Sequence, residues 1–312
     1  MQSKNQTTDF KNYLFRAHSV GRLAVGLNPG LTDKQEIETA RLLDKQDAGN
    51  ITPKQTITLG QFIAKRDAKP ELSKGVKTFL EELWAEEVFN RREKIEGKKL
   101  EKGTVVESIS FSLFTRVSKE NVLFLKNAKQ FKNSFFRGTP DNAQIKVRDI
   151  KSSWELKTFK MFDKEITNSL YKWQLQIYMD LVGLDKAQLI YCLVDTPFNL
   201  IDDKINSLNY KYDFSDSNGD LTEDGQALAV ETINRMVYTW DGLKAYCDRP
   251  NAKYTIKLEW FEEQFKEIPE KARVTIIEIE RNEDDVKAMK AQIILARKFM
   301  NGLSLDLAEK IA

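Results

Sequence analysis

The stretch Gly138-Thr139-Pro140-Asp141-Asn142-Ala143-Gln144-Ile145-Lys146-Val147-Arg148-Asp149-Ile150-Lys151 decides the fold. Gly138 to Asn142 is a dense turn signal, because Gly, Pro, Asp and Asn each favour a reversal of the backbone. Residues 145–151 read as a strand. Successive strand side chains point to opposite faces, so Ile145, Val147, Asp149 and Lys151 share one side and Lys146, Arg148 and Ile150 the other. Ile145 and Val147 mark the first side as buried. The pattern therefore sets an acid and a lysine on an apolar face, where they are costly unless paired.

Two neighbouring helices repeat this conflict. In a helix predicted over 101–118, Val106, Ile109, Ser110, Leu113, Phe114 and Val117 share one face; Ser108, Ser112, Thr115 and Lys119 lie opposite. Glu107 falls inside the apolar arc, beside Phe111 and Phe114. In a helix predicted over 168–183, Gln174 and Tyr178 are one turn apart, on the face of Leu170, Leu181 and Val182. A single site where Glu107, Asp141, Asp149, Lys151, Gln174 and Tyr178 meet satisfies all of them. Three carboxylates and one ammonium around a divalent cation form a self-consistent cluster. A buried salt-bridge network, with Lys151 neutralising Asp149, is the competing reading. In the metal reading Asp141, Asp149, the main-chain carbonyl of Ile150 and Glu107, directly or through water, bind Mg²⁺ or Mn²⁺. The metal lowers the pKa of a bound water and stabilises charge on a scissile phosphate. Lys151 positions that water and offsets developing charge. Gln174 and Tyr178 orient Lys151, the water or a phosphate oxygen.

Composition agrees by exclusion. The 312 residues hold one histidine, His18, and two cysteines, Cys192 and Cys247. Sites built on several imidazoles or four thiolates are ruled out. Carboxylates, lysines, amides and phenols remain, which suit hard cations and phosphate chemistry. Net charge is +2, yet from Arg116 to Lys160 eleven basic residues face four acidic ones. Such a segment is either a polyanion-facing surface or a solvated lysine-rich region. No apolar run approaches a bilayer span, and the first fifteen residues lack a signal peptide's apolar core, so a cytoplasmic setting is expected.

Elsewhere helix starts are read at Thr32-Asp33, Thr52-Pro53, Thr58-Leu59 and Ser73, and short strands at 122–125 and 134–137. An apolar strand is expected over 188–194, a polar excursion or loop over 200–225, and helices near 226–247 and 256–267. A strand over 273–280 and a helix over 283–303 close the chain. Strands and helices mix throughout. The fold class is α/β or α+β, a central mixed β-sheet flanked by helices, in one domain over 1–312. Within it 1–100 is a helical region, 101–200 the core, and 201–312 an extension.

Four ordered motifs carry a resemblance: Gly103 with Glu107, Pro140-Asp141, Asp149-Ile150-Lys151, and Gln174 with Tyr178. Singly they are weak, since acidic-x-Lys also begins at Asp9, Asp67, Glu96, Glu155, Asp202 and Asp285, and Glu155-Leu156-Lys157 is a rival placement. In this order and spacing they resemble the PD-(D/E)XK nuclease superfamily, in the branch of the RecB nuclease domain, lambda-type exonuclease and YqaJ-like viral recombinases. The resemblance implies a restriction-endonuclease-like core and a Mg²⁺-dependent DNA nuclease, more an exonuclease than an endonuclease, in recombination or end processing. A structure-specific endonuclease and a non-catalytic nucleic-acid-binding protein are the alternatives. It implies double-stranded DNA with a free end as partner, a homo-oligomer, a single-strand annealing protein alongside, and a bacterial or phage-infected host. Phe15 to Gly21 resembles the Arg…Ser segment of the lambda group, which implies Arg16 as phosphate partner and Ser19 as helix N-cap; an ordinary capped helix is the alternative. Arg137, Arg148, Lys157 and Lys160 are candidate contacts to a nucleic-acid backbone. Trp154 and Phe159 are read as core or as contacts to a base.

Overall fold

The structure is a computed structural model, describing residues 9–27, 31–68, 71–92, 97–118, 120, 124–217, 219–250 and 252–311. In chain order the elements are β1 (Phe15–Arg16), α1 (Asp33–Asp47), α2 (Pro53–Asp67), α3 (Lys74–Phe89), α4 (Lys98–Val105), α5 (Glu107–Val117), β2 (Phe131–Lys132), β3 (Phe136–Gly138), β4 (Asn142–Ala143), β5 (Val147–Ser152), α6 (Ser169–Val182), β6 (Lys186–Cys192), α7 (Phe198–Tyr212), α8 (Glu223–Met236), α9 (Trp240–Cys247), β7 (Val274–Glu280) and α10 (Glu283–Ile311).

Local chemistry sets the helix ends. Thr32 and Thr52 form capping boxes with Gln35 and Gln55, and the Ser73 and Asn168 side chains accept from the amides of Val76 and Leu170. Gly183, at φ 72°, ends α6 in the left-handed region that glycine tolerates. Thr58-Leu59 is not a start and lies inside α2.

The central sheet has the order β4-β5-β6-β7. β5 and β6 run parallel, joined through α6; β4 and β7 are antiparallel to their neighbours. A smaller sheet, β1-β3-β2, sets Phe15 and Arg16 beside Phe136 and Arg137. The expected mixed sheet flanked by helices is present. On one face Ile150, Ile190 and Cys192 pack against Leu113 and Phe114 of α5. On the other, Val147, Leu189 and Tyr191 join Leu175, Ile177 and Met179 of α6, with α3 and α10 completing that core.

Several expectations are corrected. β5 is buried on both faces, from Val147 to Ile150, as a central parallel strand should be. Ile145 lies outside it and is exposed. Arg148 is not a surface contact for nucleic acid: at 1% exposure it donates to Gln188, Asn142 and Glu120 and lies over the Phe124 ring. Two of the residues expected as a strand at 122–125 lie outside the described residues, as does Lys119; Phe124 is buried but not in a strand. The helix over 101–118 breaks at Val106, whose φ −93° and ψ 4° leave the helical region, and Ile109, at the edge of the buried stripe of α5, is exposed. Residues 200–225 are not a loop, because α7 and the start of α8 occupy most of them. They bury Ile201, Ile205, Val230 and Ile233 in a second core with Tyr246 and Phe261. The polar appearance of α7 arose from its single apolar stripe. Instead of a helix over 256–267 there is one short 3₁₀ turn, Leu258–Phe261. Among the described residues no helix is long and apolar enough to cross a membrane.

Candidate active site

β5 carries the site at its carboxyl end. Parallel strands joined through a helix leave a crevice there, the usual place for a ligand in such sheets. An open cleft is lined by Glu107, Asp141, Asp149, Lys151, Gln174 and Tyr178, all six side chains that the sequence placed together. The Ile150 amide donates to Asp141 Oδ2 at 2.7 Å, which fastens the turn before β4 to β5. Lys151 Nζ stands 2.7 Å from Asp149 Oδ2, an ion pair between two residues on one side of β5. From α6, Gln174 Nε2 donates to Asp149 Oδ1 at 3.4 Å and to the Tyr178 hydroxyl at 3.0 Å.

The electrostatics follow from crowding. Burial, then the charge of Asp149, pushes the Asp141 carboxyl up to about 7, with Glu107 adding to the effect. Burial opposes the charge on Lys151, but Asp149 and then Asp141 outweigh it and hold the ammonium above the ordinary lysine range. Burial and Asp149 push the Tyr178 phenol up to about 12. Two crowded carboxylates with one lysine leave excess negative charge for a cation to offset. The donor set, carboxylates with a main-chain carbonyl, suits a hard divalent ion.

Glu107 departs from the expected cluster. It lines the cleft, but its Oε2 is 2.6 Å from Lys126 Nζ. Among the described residues no three Asp, Glu, His or Cys side chains stand close enough to hold an ion. The break at Val106 makes Glu107 the first residue of α5 rather than a mid-helix residue, which leaves its side chain free to reach Lys126. Exposed ion pairs are weak, at about 0–1 kcal/mol, so this one competes little with a cation.

Arg16 and Arg137 lie side by side on β1 and β3, but neither they nor Ser19 are among the described residues lining the cleft. Partial burial, then the charges of Arg16 and Lys151, lower the His18 imidazole pKa. Ser19 does not cap with its side chain; its hydroxyl donates to the Arg16 carbonyl, and only a five-residue 3₁₀ turn follows. Phe159 is buried in the main core; Trp154 packs on the second core and also lines the cleft. The rival triplet at Glu155 is engaged elsewhere, its carboxylate taken by Arg235.

Sequence reasoning missed three contributors. Tyr171 puts its ring 4.9 Å from Lys151 Nζ. Its position three residues before Gln174 was the available signal. Lys126, the partner of Glu107, gave none. Lys102, 1% exposed, donates to the Trp154 carbonyl and Thr196 Oγ1, pinning α4 against the cleft wall.

No family model and no curated protein matches the sequence. Solved structures do match. A phage-related exonuclease from Haemophilus somnus 129PT superposes with a TM-score of 0.58 at 16% identity, covering 98% of this chain and 100% of that one. An alkaline exonuclease (LHK-Exo) from Laribacter hongkongensis superposes with a TM-score of 0.47 at 10% identity, covering 96% and 94% of the two chains. Over nearly its whole length, then, the chain has the fold of the phage-related exonuclease from Haemophilus.

Proposed function

We propose that the chain is a divalent-cation-dependent deoxyribonuclease, acting as an exonuclease on double-stranded DNA ends. One observation carries the reading: Asp141, Asp149, Lys151, Gln174 and Tyr178 converge in one open cleft at the end of a buried strand. The bearing of the Haemophilus structure is that its fold serves an exonuclease.

Asp141, Asp149 and the Ile150 carbonyl would hold Mg²⁺ or Mn²⁺, joined by Glu107 once it leaves Lys126. The ion, when bound, supplies Lewis-acid stabilisation of phosphate charge. The remaining work falls to the chain. Lys151 donates toward the attacking water and the phosphate oxygens and offsets the charge that develops there. Gln174 holds Asp149 from behind and Tyr178 holds Gln174, while the Ile150 amide holds Asp141, so both carboxylates are fixed before substrate arrives. Water oxygen bonds to phosphorus as the bond to the 3′ oxygen breaks, leaving a 5′-phosphate and a 3′-hydroxyl.

The test is incubation of linear and covalently closed circular duplex DNA with Mg²⁺ and with EDTA. Loss of linear DNA alone, and only with Mg²⁺, is expected. Cutting of the circle favours an endonuclease. Metal-dependent loss of neither contradicts a deoxyribonuclease.

A further inference from the structure

Beyond β5 the chain crosses the rim of the cleft through a 3₁₀ turn, Leu156–Thr158, into an irregular segment up to residue 164, whose side chains alternate in and out from Thr158 onward. Phe159 is buried in the main core and Met161 packs against it. Thr275 Oγ1 on β7 donates to the Met161 carbonyl at 3.3 Å. These anchors present the residues between and beyond them to solvent. Lys160 lines the cleft, and Phe162 is 86% exposed. The segment carries three lysines, Lys157, Lys160 and Lys164, against one acid, Asp163.

A phenylalanine held out in water by an anchored backbone gains nothing for the fold, since its apolar area stays wet. In this segment Leu156 is the other exposed large apolar side chain. A protein partner of ordinary affinity covers about 800 Å² on each side with an apolar centre. One ring set among lysines matches a different occupant. Aromatic rings flanked by cationic side chains are how proteins hold unpaired bases, with the lysines meeting the phosphates.

We infer that Phe162 stacks on an unpaired base of the strand entering the cleft, with Lys157 and Lys160 meeting its phosphates. This rests on the nuclease reading and adds to it a preference for a frayed or single-stranded terminus.

The test uses the full chain with Ca²⁺ in place of Mg²⁺, so that binding is read without appreciable cleavage. The probe is a short oligodeoxynucleotide carrying 2-aminopurine, whose fluorescence is quenched when the base stacks. Phe162→Ala should weaken binding at least about fivefold and relieve the quenching, and Phe162→Tyr should restore both. Unchanged affinity and quenching in Phe162→Ala overturn the role of Phe162 and leave the nuclease reading standing. A change in sedimentation with retained affinity assigns the ring to a second copy of the chain and overturns it too. Failure of the unaltered protein to bind the probe while it still degrades linear duplex overturns the base-stacking role, and failure at both contradicts the nuclease reading as well.

Discussion

The Ile150 amide donates to Asp141 Oδ2 at 2.7 Å, and Asp149 stands one residue before Ile150 on the same strand. That bond brings two acids from different segments together in a cleft. The resulting crowding pushes the Asp141 carboxyl up to about 7, through burial first and Asp149 second. An unfolded aspartate ionises near pH 4. Between those values the folded chain binds more protons than the unfolded one, so without metal this contribution is full below about pH 4. It is lost as pH rises through about 7. Asp141→Asn keeps an acceptor for Ile150 and loses the titration. In EDTA at pH 8 it should be more stable than the unaltered chain by on the order of 2 kcal/mol in urea unfolding. Added Mg²⁺ should stabilise the unaltered chain and not the variant. Equal stability at pH 8 speaks against the crowded pair.

Lys126 competes with any cation for Glu107, from which it is 2.6 Å away. The pair is partly solvated, so the competition is worth at most about 1 kcal/mol. Lys126→Met should tighten Mg²⁺ binding by up to about fivefold in calorimetry, with little change in melting temperature. Weaker Mg²⁺ binding in this variant removes Glu107 from the metal set.

Gly138 gives Tyr178 its room. A Cβ at this position falls 2.6 Å from Tyr178 Cε1 and 3.0 Å from Ala17 Cβ, and neither neighbour is a flexible chain end. Gly138→Ala should cost about 1–3 kcal/mol and move the phenol that holds Gln174. Cleavage should fall more than stability alone accounts for, measured below the variant's melting temperature. Full activity with unchanged stability contradicts the packing of β3 on α6.

Arg148 separates a structural cation from a nucleic-acid contact. Arg148→Met fills similar volume but takes a buried donor away from Asn142 and Gln188 and leaves Glu120 with Lys146 alone. A loss of about 3–5 kcal/mol is expected in urea unfolding. If instead the fold holds and only DNA affinity and its salt dependence fall, Arg148 is a phosphate contact.

The sheet, and Asp149, Lys151, Gln174 and Tyr178 of the cleft, were legible because strand and helix periodicity assign side chains to faces; Asp141 came from the turn signal and Glu107 from its place in the motif order. Asp149 with Lys151, and Gln174 with Tyr178, stood out as polar groups on apolar faces, and the structure sets them against one another. Four things were not legible. The break at Val106 was masked by the apolar periodicity that runs through it, although Gly103-Thr104-Val105-Val106 is a run of weak helix formers. The partner of Glu107 is distant in sequence and belongs to no periodic element. Arg148 read as exposed because strand alternation shows one buried face, whereas a central parallel strand has two. The second core, built on α7 to α9, was hidden for a related reason: one apolar stripe on an otherwise polar helix looks like a loop when the partner helices are unknown.

The central claim is that the Asp141, Asp149 and Lys151 group hydrolyses phosphodiester bonds. The most direct measurement is the initial rate of linear duplex loss in Mg²⁺ for the unaltered chain and for Lys151→Ala, with circular dichroism verifying that the variant is folded. Removing the charge that faces the reacting phosphate should slow cleavage at least about a hundredfold. A folded Lys151→Ala protein that degrades DNA at the unaltered rate contradicts the account.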